Sequence, residues 1–169
     1  MLVLDGTVYT RESMSEPRQK PGKSKQDYQT PPAFLQAVKR LLNIQDFGID
    51  LAASPENAIT LPYYTEADNA LLQCWLPNGW SWCNPPYADI RPWVEKAVWE
   101  AQKGASIAML LPAGVGANWW FHHVHGRAYV HFLHPRLTFV GETAPYPKDL
   151  ALLLYAPYLQ GGYNCWSWS

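Results

Sequence analysis

From Tyr28 to Tyr155 the sequence alternates between short apolar runs of strand length and segments of helical periodicity, and this alternation limits the fold more than any other feature. Thr30 stands before Pro31 and Pro32 and is expected to cap a helix. Its apolar positions Phe34, Leu35, Val38, Leu41 and Leu42 follow helical spacing and leave Lys39 and Arg40 to solvent. The run from Phe47 to Ala53 is apolar but for Asp50, as befits a buried strand that delivers an acid to a sheet edge. Further strands are expected over Ala58 to Tyr64, Trp80 to Asn84, Ser106 to Leu111, Tyr129 to Leu133 and, last, Asp149 to Tyr155. A helix with Asp89 as N-cap should reach Lys103, with Trp93, Val94, Ala97, Val98 and Ala101 on one face, and a shorter one should run from about Gly116 to His125. The pattern predicts an α/β domain on a mainly parallel sheet, with its ligand site beyond the carboxyl ends of the strands, where Asp50 and Asn84 both fall.

Residues 11–27 lack apolar periodicity and carry Arg18, Lys20, Lys23 and Lys25 among Pro17, Pro21 and Gly22. A flexible N-terminal arm over 1–27 is therefore expected ahead of a single domain over 28–169. A net charge of -1 argues against nucleic-acid binding through overall charge, so any such contact must be focused. Cys74, Cys83 and Cys165 are odd in number and widely spaced, which fits neither a disulfide framework nor a zinc site and suits a reducing cytoplasm. No apolar run has the length of a signal peptide or a membrane span, so a cytoplasmic protein without a membrane partner is expected. The 9 Trp residues serve packing for the most part, with some left to stack on ligand.

Asn84-Pro85-Pro86-Tyr87 is the segment that carries chemistry. Two successive prolines fix φ and remove two backbone donors, so the segment cannot extend a ladder and presents carbonyl acceptors at a strand end. The Asn84 side-chain oxygen and the Pro85 carbonyl are then a pair of acceptors for an amine. An exocyclic amine conjugated with a ring is a poor nucleophile, and acceptors on its N–H groups stabilise the positive charge that develops as it attacks. Tyr87 supplies a ring on which a planar substrate can stack.

The chain resembles the phage-type DNA N6-adenine methyltransferases, a Dam-like family. The likeness rests on Tyr28-Gln29-Thr30-Pro31-Pro32, on Ile49 to Ser54 with Asn57, on Asp68 to Trp75, and on Trp82 to Tyr87 followed by Ile90 and Trp93. It continues through Leu110 to Ala113, Trp119-Trp120-Phe121, Pro135-Arg136 and Phe139. The resemblance implies an abbreviated Rossmann-like methyltransferase fold and S-adenosylmethionine as cofactor. It also implies methyl transfer to N6 of adenine in duplex DNA, with the base flipped out onto Tyr87. It places Asn84, Pro85, Pro86 and Tyr87 in the catalytic loop. It assigns the cofactor to Tyr28, Thr30, Pro31, Asp50, Ala52, Ser54, Asn57, Asp68 and Asn84, with Asp50 receiving the ammonium group. A phage enzyme would act in the host cytoplasm; the sequence leaves the oligomeric state open, a monomer or a weak dimer.

Two features depart from the wider methyltransferase pattern. No glycine-rich turn follows Asp50, and the chain between Asp50 and Asn84 is short, so the sheet is expected to be abbreviated on that side. Gly114-Val115-Gly116 is too short for a phosphate-binding fingerprint and reads as a loop entering the Trp119-Trp120 helix. DNA contacts are expected from that loop, from residues 141–148, and from Trp119, Arg127 and Arg136, although Arg136 equally suits a structural ion pair. His122, His123, His125, His131 and His134 lack partner cysteines or acids, and no metal site is read there. The alternatives are a methyltransferase acting on RNA adenine or protein glutamine through the same loop, and a non-catalytic nucleic-acid-binding relative.

Overall fold

The computed structural model describes residues 28–169 and the backbone of two short N-terminal strands. In chain order the elements are β1 (Leu2–Leu4), β2 (Thr7–Tyr9), α1 (Pro32–Leu42), β3 (Ile49–Asp50), a single 3-10 turn (Ala70–Leu72), β4 (Trp80–Cys83), α2 (Arg91–Gln102), β5 (Ser106–Pro112), α3 (Asn118–His123), β6 (Tyr129–His134), β7 (Leu150–Tyr155) and β8 (Gly162–Ser167). β1 and β2 pair as an antiparallel hairpin, and the rest of the expected arm lies outside the described residues.

The other six strands form one sheet in the order β3-β4-β5-β7-β6-β8. β3, β4 and β5 are mutually parallel, β7 runs antiparallel between β5 and β6, and β8 is parallel to β6. The sheet is thus mostly parallel, with β7 as the strand that reverses.

Both faces of the sheet are covered, which is why its central strands are apolar throughout rather than alternating. In β5, Ile107, Met109 and Leu111 pack with Val94 and Ala97 of α2 and Trp120 of α3, whereas Ala108 and Leu110 point the other way and join Phe34 and Val38 of α1. Each large apolar side chain buried in this manner contributes roughly 1.5–3 kcal/mol.

Several boundaries differ from the sequence expectation. Pro31, not Thr30, holds the cap position of α1, and no side chain among the described residues caps that helix. Thr30 is instead buried, with its hydroxyl turned to Asn84. Lys39 pairs with Asp46 at 2.9 Å and lies over the Phe47 ring, so only Arg40 of the two basic residues is left to solvent. Leu41, expected on the apolar face, is exposed.

α2 begins at Arg91 behind Ile90, so Asp89 is not its cap, and α3 is confined to Asn118–His123. The expected strand over Ala58 to Tyr64 does not form; a lone bridge joins Asp50 to Tyr63. Pro62 has no N–H to extend a ladder, though its carbonyl accepts from Asp50 N at 3.1 Å. The final strand β8 was not expected, because its apolar and polar residues follow no clean alternation and most of them are exposed.

Candidate active site

Asp50 closes β3, and Asn84 follows the last residue of β4. The parallel register sets Asp50 beside Trp82, so the acid and the amide emerge from neighbouring strands at the same carboxyl end. This is where an open α/β sheet leaves a crevice for ligand.

The Asn84 carboxamide is held at both ends. Its Nδ2 donates to the Tyr28 carbonyl at 2.7 Å and to Thr30 Oγ1 at 3.3 Å. Those two contacts fix which end of the amide is oxygen. Oδ1 accepts a 2.8 Å hydrogen bond from the Tyr87 hydroxyl. Pro85 is buried, Pro86 is exposed, and Asn84 and Tyr87 are half-buried.

Tyr87 belongs to an aromatic group. Tyr28 stacks on Phe139 with centroids 4.6 Å apart, and Tyr146 meets Tyr28, Tyr87 and Phe139 edge-on at 5.5, 5.9 and 5.6 Å. Burial, with Tyr146, Cys83 and Tyr28 nearby, pushes the Tyr87 phenol well above its ordinary range, so it remains a hydrogen-bond donor at neutral pH. Tyr146 was not singled out from the sequence. It lies within the 141–148 stretch expected to contact DNA, but nothing local shows that its ring returns to the Asn84 loop.

Asp50 is 3% exposed. Burial pushes its carboxyl up to about 6, against the opposing pull of backbone N–H donors from Ile59 and Ala52, both at 3.2 Å. Burial and the nearby Asp50 likewise push the Cys83 thiol up, keeping it protonated and unreactive. Ala52, Ser54 and Asn57 follow Asp50 in a half-buried loop, where Asn57 Oδ1 accepts from Ser54 N at 2.7 Å. Pro31 is also half-buried, and its carbonyl begins the α1 ladder.

The outlying candidates have structural partners. Asp68 sits in an exposed turn, where Oδ2 accepts from the amide and the hydroxyl of Thr65 at 2.8 and 2.7 Å. The Thr65 amide and hydroxyl hold its carboxyl below the usual range. Arg136 pairs with Asp149 at 2.9 Å and donates to the Pro147 carbonyl, which fixes the end of the 141–148 stretch. Trp119 packs edge-on against Trp120, and Gly114 lies so close that a Cβ there would sit 2.5 Å from the Trp119 ring. Arg127 Nε donates to the His122 carbonyl at 2.8 Å. Among the described residues, no three or more His, Cys, Asp or Glu are grouped to hold a metal, and no helix is long and apolar enough to cross a membrane.

Residues 18–150 match the family model described as DNA N-6-adenine-methyltransferase (Dam). The chain is also similar to the DNA N-6-adenine-methyltransferase of Escherichia phage T1, at 35% identity over 74 residues. That match covers 44% of this chain and 31% of the phage protein, so it spans about a third of the relative's length.

Proposed function

The chain belongs to the DNA N-6-adenine-methyltransferase (Dam) family, and from that premise we propose that it transfers a methyl group from S-adenosylmethionine to N6 of an adenine flipped out of duplex DNA. The observation that carries this reading is the double anchoring of the Asn84 amide, which aims one oxygen at the end of β4 beside a chain that proline prevents from pairing.

The residues around Asp50 fit the cofactor. A carboxylate buried at a strand end, satisfied by two backbone N–H groups and with no ion-pair partner among the described residues, is a ready partner for an ammonium group. When bound there, S-adenosylmethionine supplies an electrophilic methyl group on a sulfonium. Thr30, Pro31, Ala52, Ser54, Asn57 and, in its exposed turn, Asp68 would complete that side of the crevice. The sheet order, with β7 reversed between β5 and β6, is compatible with a Rossmann-like methyltransferase abbreviated beyond β3.

On the substrate side, Asn84 Oδ1 and the Pro85 carbonyl accept the two N–H groups of the adenine amine, and these bonds strengthen as charge develops on nitrogen. A carboxamide is no general base, so the displaced proton leaves to water after transfer. Tyr87 gives up its bond to Asn84 and stacks on the base, which is worth roughly 1–3 kcal/mol. Arg136 acts on DNA through the loop it braces, and Trp119 through the loop that crosses it.

Incubation with methyl-labelled cofactor and, separately, duplex DNA, RNA and protein tests this reading. Label on N6 of adenine in duplex DNA is expected, and label confined to RNA or protein would overturn it.

A further inference from the structure

A cavity of about 500 Å³ opens between α2 and α3, lined by Arg91, Glu95, Trp99, His122, His123 and Arg127 among others. Eight Lys and Arg residues follow residue 27: Lys39, Arg40, Arg91, Lys96, Lys103, Arg127, Arg136 and Lys148. Lys39, Lys96, Lys103 and Arg136 have carboxylate partners. Arg91 and Arg127 have none within 4 Å among the described residues, yet both face this groove.

Two guanidiniums that share one groove with fewer acids raise the energy of the free protein unless an anion joins them. Among the described residues, Glu95 is the one acid lining the groove, against two arginines. The field is felt locally: burial is the largest cause that lowers the basicity of His123, Glu95 opposes it, and His122, Arg91 and Arg127 add to it. Trp99, 56% exposed, carries the Lys103 ammonium 3.6 Å from its ring centroid and the Lys96 ammonium at 5.4 Å, which adds positive charge at the rim.

The groove begins at the end of the molecule where the Asn84 loop lies. Arg91 opens α2 only four residues after Tyr87, a reach of at most about 14 Å of extended chain. Phosphates recur every ~3.4 Å of axis along one DNA strand, so that reach corresponds to about four nucleotides.

We infer that the α2–α3 groove seats backbone phosphates of the DNA strand flanking the target adenine, with Arg91 and Arg127 as their paired donors. The inference rests on the reading of the Asn84 loop as a DNA site. It also gives a chain of net charge -1 a focused contact with a polyanionic substrate, because two of the four cations after residue 27 that have no carboxylate partner among the described residues, Arg91 and Arg127, line one groove.

The test measures equilibrium binding of a fluorescent duplex at several salt concentrations to the full chain and to Arg91→Gln, Arg127→Gln and the double variant. Arg91 is exposed on the first turn of α2 and has no described side-chain hydrogen bond to lose, so Arg91→Gln reports on binding without a folding complication. Each substitution should weaken binding several-fold at moderate salt and reduce the slope of log affinity against log salt by about 0.9. Wild-type affinity and slope in Arg91→Gln and the double variant would overturn the inference, as would a wild-type protein that binds inorganic phosphate but not duplex DNA. Failure of the Asn84 reading shows separately, as wild-type protein that binds duplex but leaves its adenine unmethylated.

Discussion

The Tyr87 hydroxyl donates to Asn84 Oδ1 at 2.8 Å, so the oxygen we propose as acceptor of the substrate amine is already engaged by the ring we propose to stack on that substrate. The loop is closed on itself, and opening it costs a hydrogen bond worth about 1 kcal/mol net.

Tyr87→Phe removes that bond and keeps the ring. A duplex carrying 2-aminopurine at the target position should be bound about 5-fold more tightly by this variant, with a larger fluorescence rise from the unstacked base. Tyr87→Ala should instead weaken binding by 10-fold or more, as stacking is lost (about 1–3 kcal/mol). Weaker binding by Tyr87→Phe than by wild type would show that the hydroxyl serves the bound state and is no latch.

On its proposed role at the cofactor, Asp50 should make stability and cofactor affinity respond oppositely to pH. Its carboxyl stands at about 6 in the folded protein against 3.8 for the free group, so the protein takes up a proton on folding between those values. The associated stability is present in full below pH 3.8 and is lost as pH rises through 6, a change of about 3 kcal/mol. An ammonium ligand needs the ionised form, so S-adenosylmethionine should bind about tenfold more weakly at pH 5 than at pH 7.5. Calorimetric titration at the two pH values checks this; Asp50→Asn should bind weakly at both, and a wild-type affinity independent of pH would remove Asp50 from the cofactor site.

A different acid supports the fold. The Glu100 side chain is fully buried, pairs with Lys96 at 2.8 Å and Lys103 at 3.3 Å, and accepts from the Trp75 amide at 3.2 Å. Burial pushes its carboxyl up, but Lys96, the Trp75 amide and Lys103 together hold it below the usual glutamate range. Its contribution to stability is therefore present above that range and lost as pH falls through the folded pKa. Glu100→Gln keeps an acceptor for Trp75 but leaves Lys96 unpaired in a mostly buried position, and should cost about 3 kcal/mol in urea unfolding at pH 7. A midpoint unchanged from wild type would contradict this.

The course of the chain is legible in sequence where burial on two faces dictates a continuous apolar run, as in Ser106–Pro112 and Leu150–Tyr155. It fails where a local signal competes with a tertiary one. Thr30 has the chemistry of a helix cap, but its hydroxyl goes to Asn84, and Asp89 stands one residue too early to cap α2. The run from Ala58 to Tyr64 looks like a strand until Pro62 interrupts its donors. Within the candidate site, Asn84, Tyr87 and Asp50 could be named from residue type and strand-end position. Tyr146 could not, because its place depends on a loop that returns across the sheet. Nor could the groove between α2 and α3, since no spacing in the sequence relates Arg91 to Arg127.

The central claim is that the anchored oxygen of Asn84 activates an adenine amine, and mass spectrometry of nucleosides from duplex DNA treated with protein and S-adenosylmethionine tests it most directly. The account predicts N6-methyladenine with the wild-type chain and, with Asn84→Ala, a loss of at least about 100-fold in rate, in line with removal of one preorganised group that stabilises the transition state. Cofactor affinity in that variant should stay close to wild type. N6-methyladenine formed at an undiminished rate by Asn84→Ala would contradict the account.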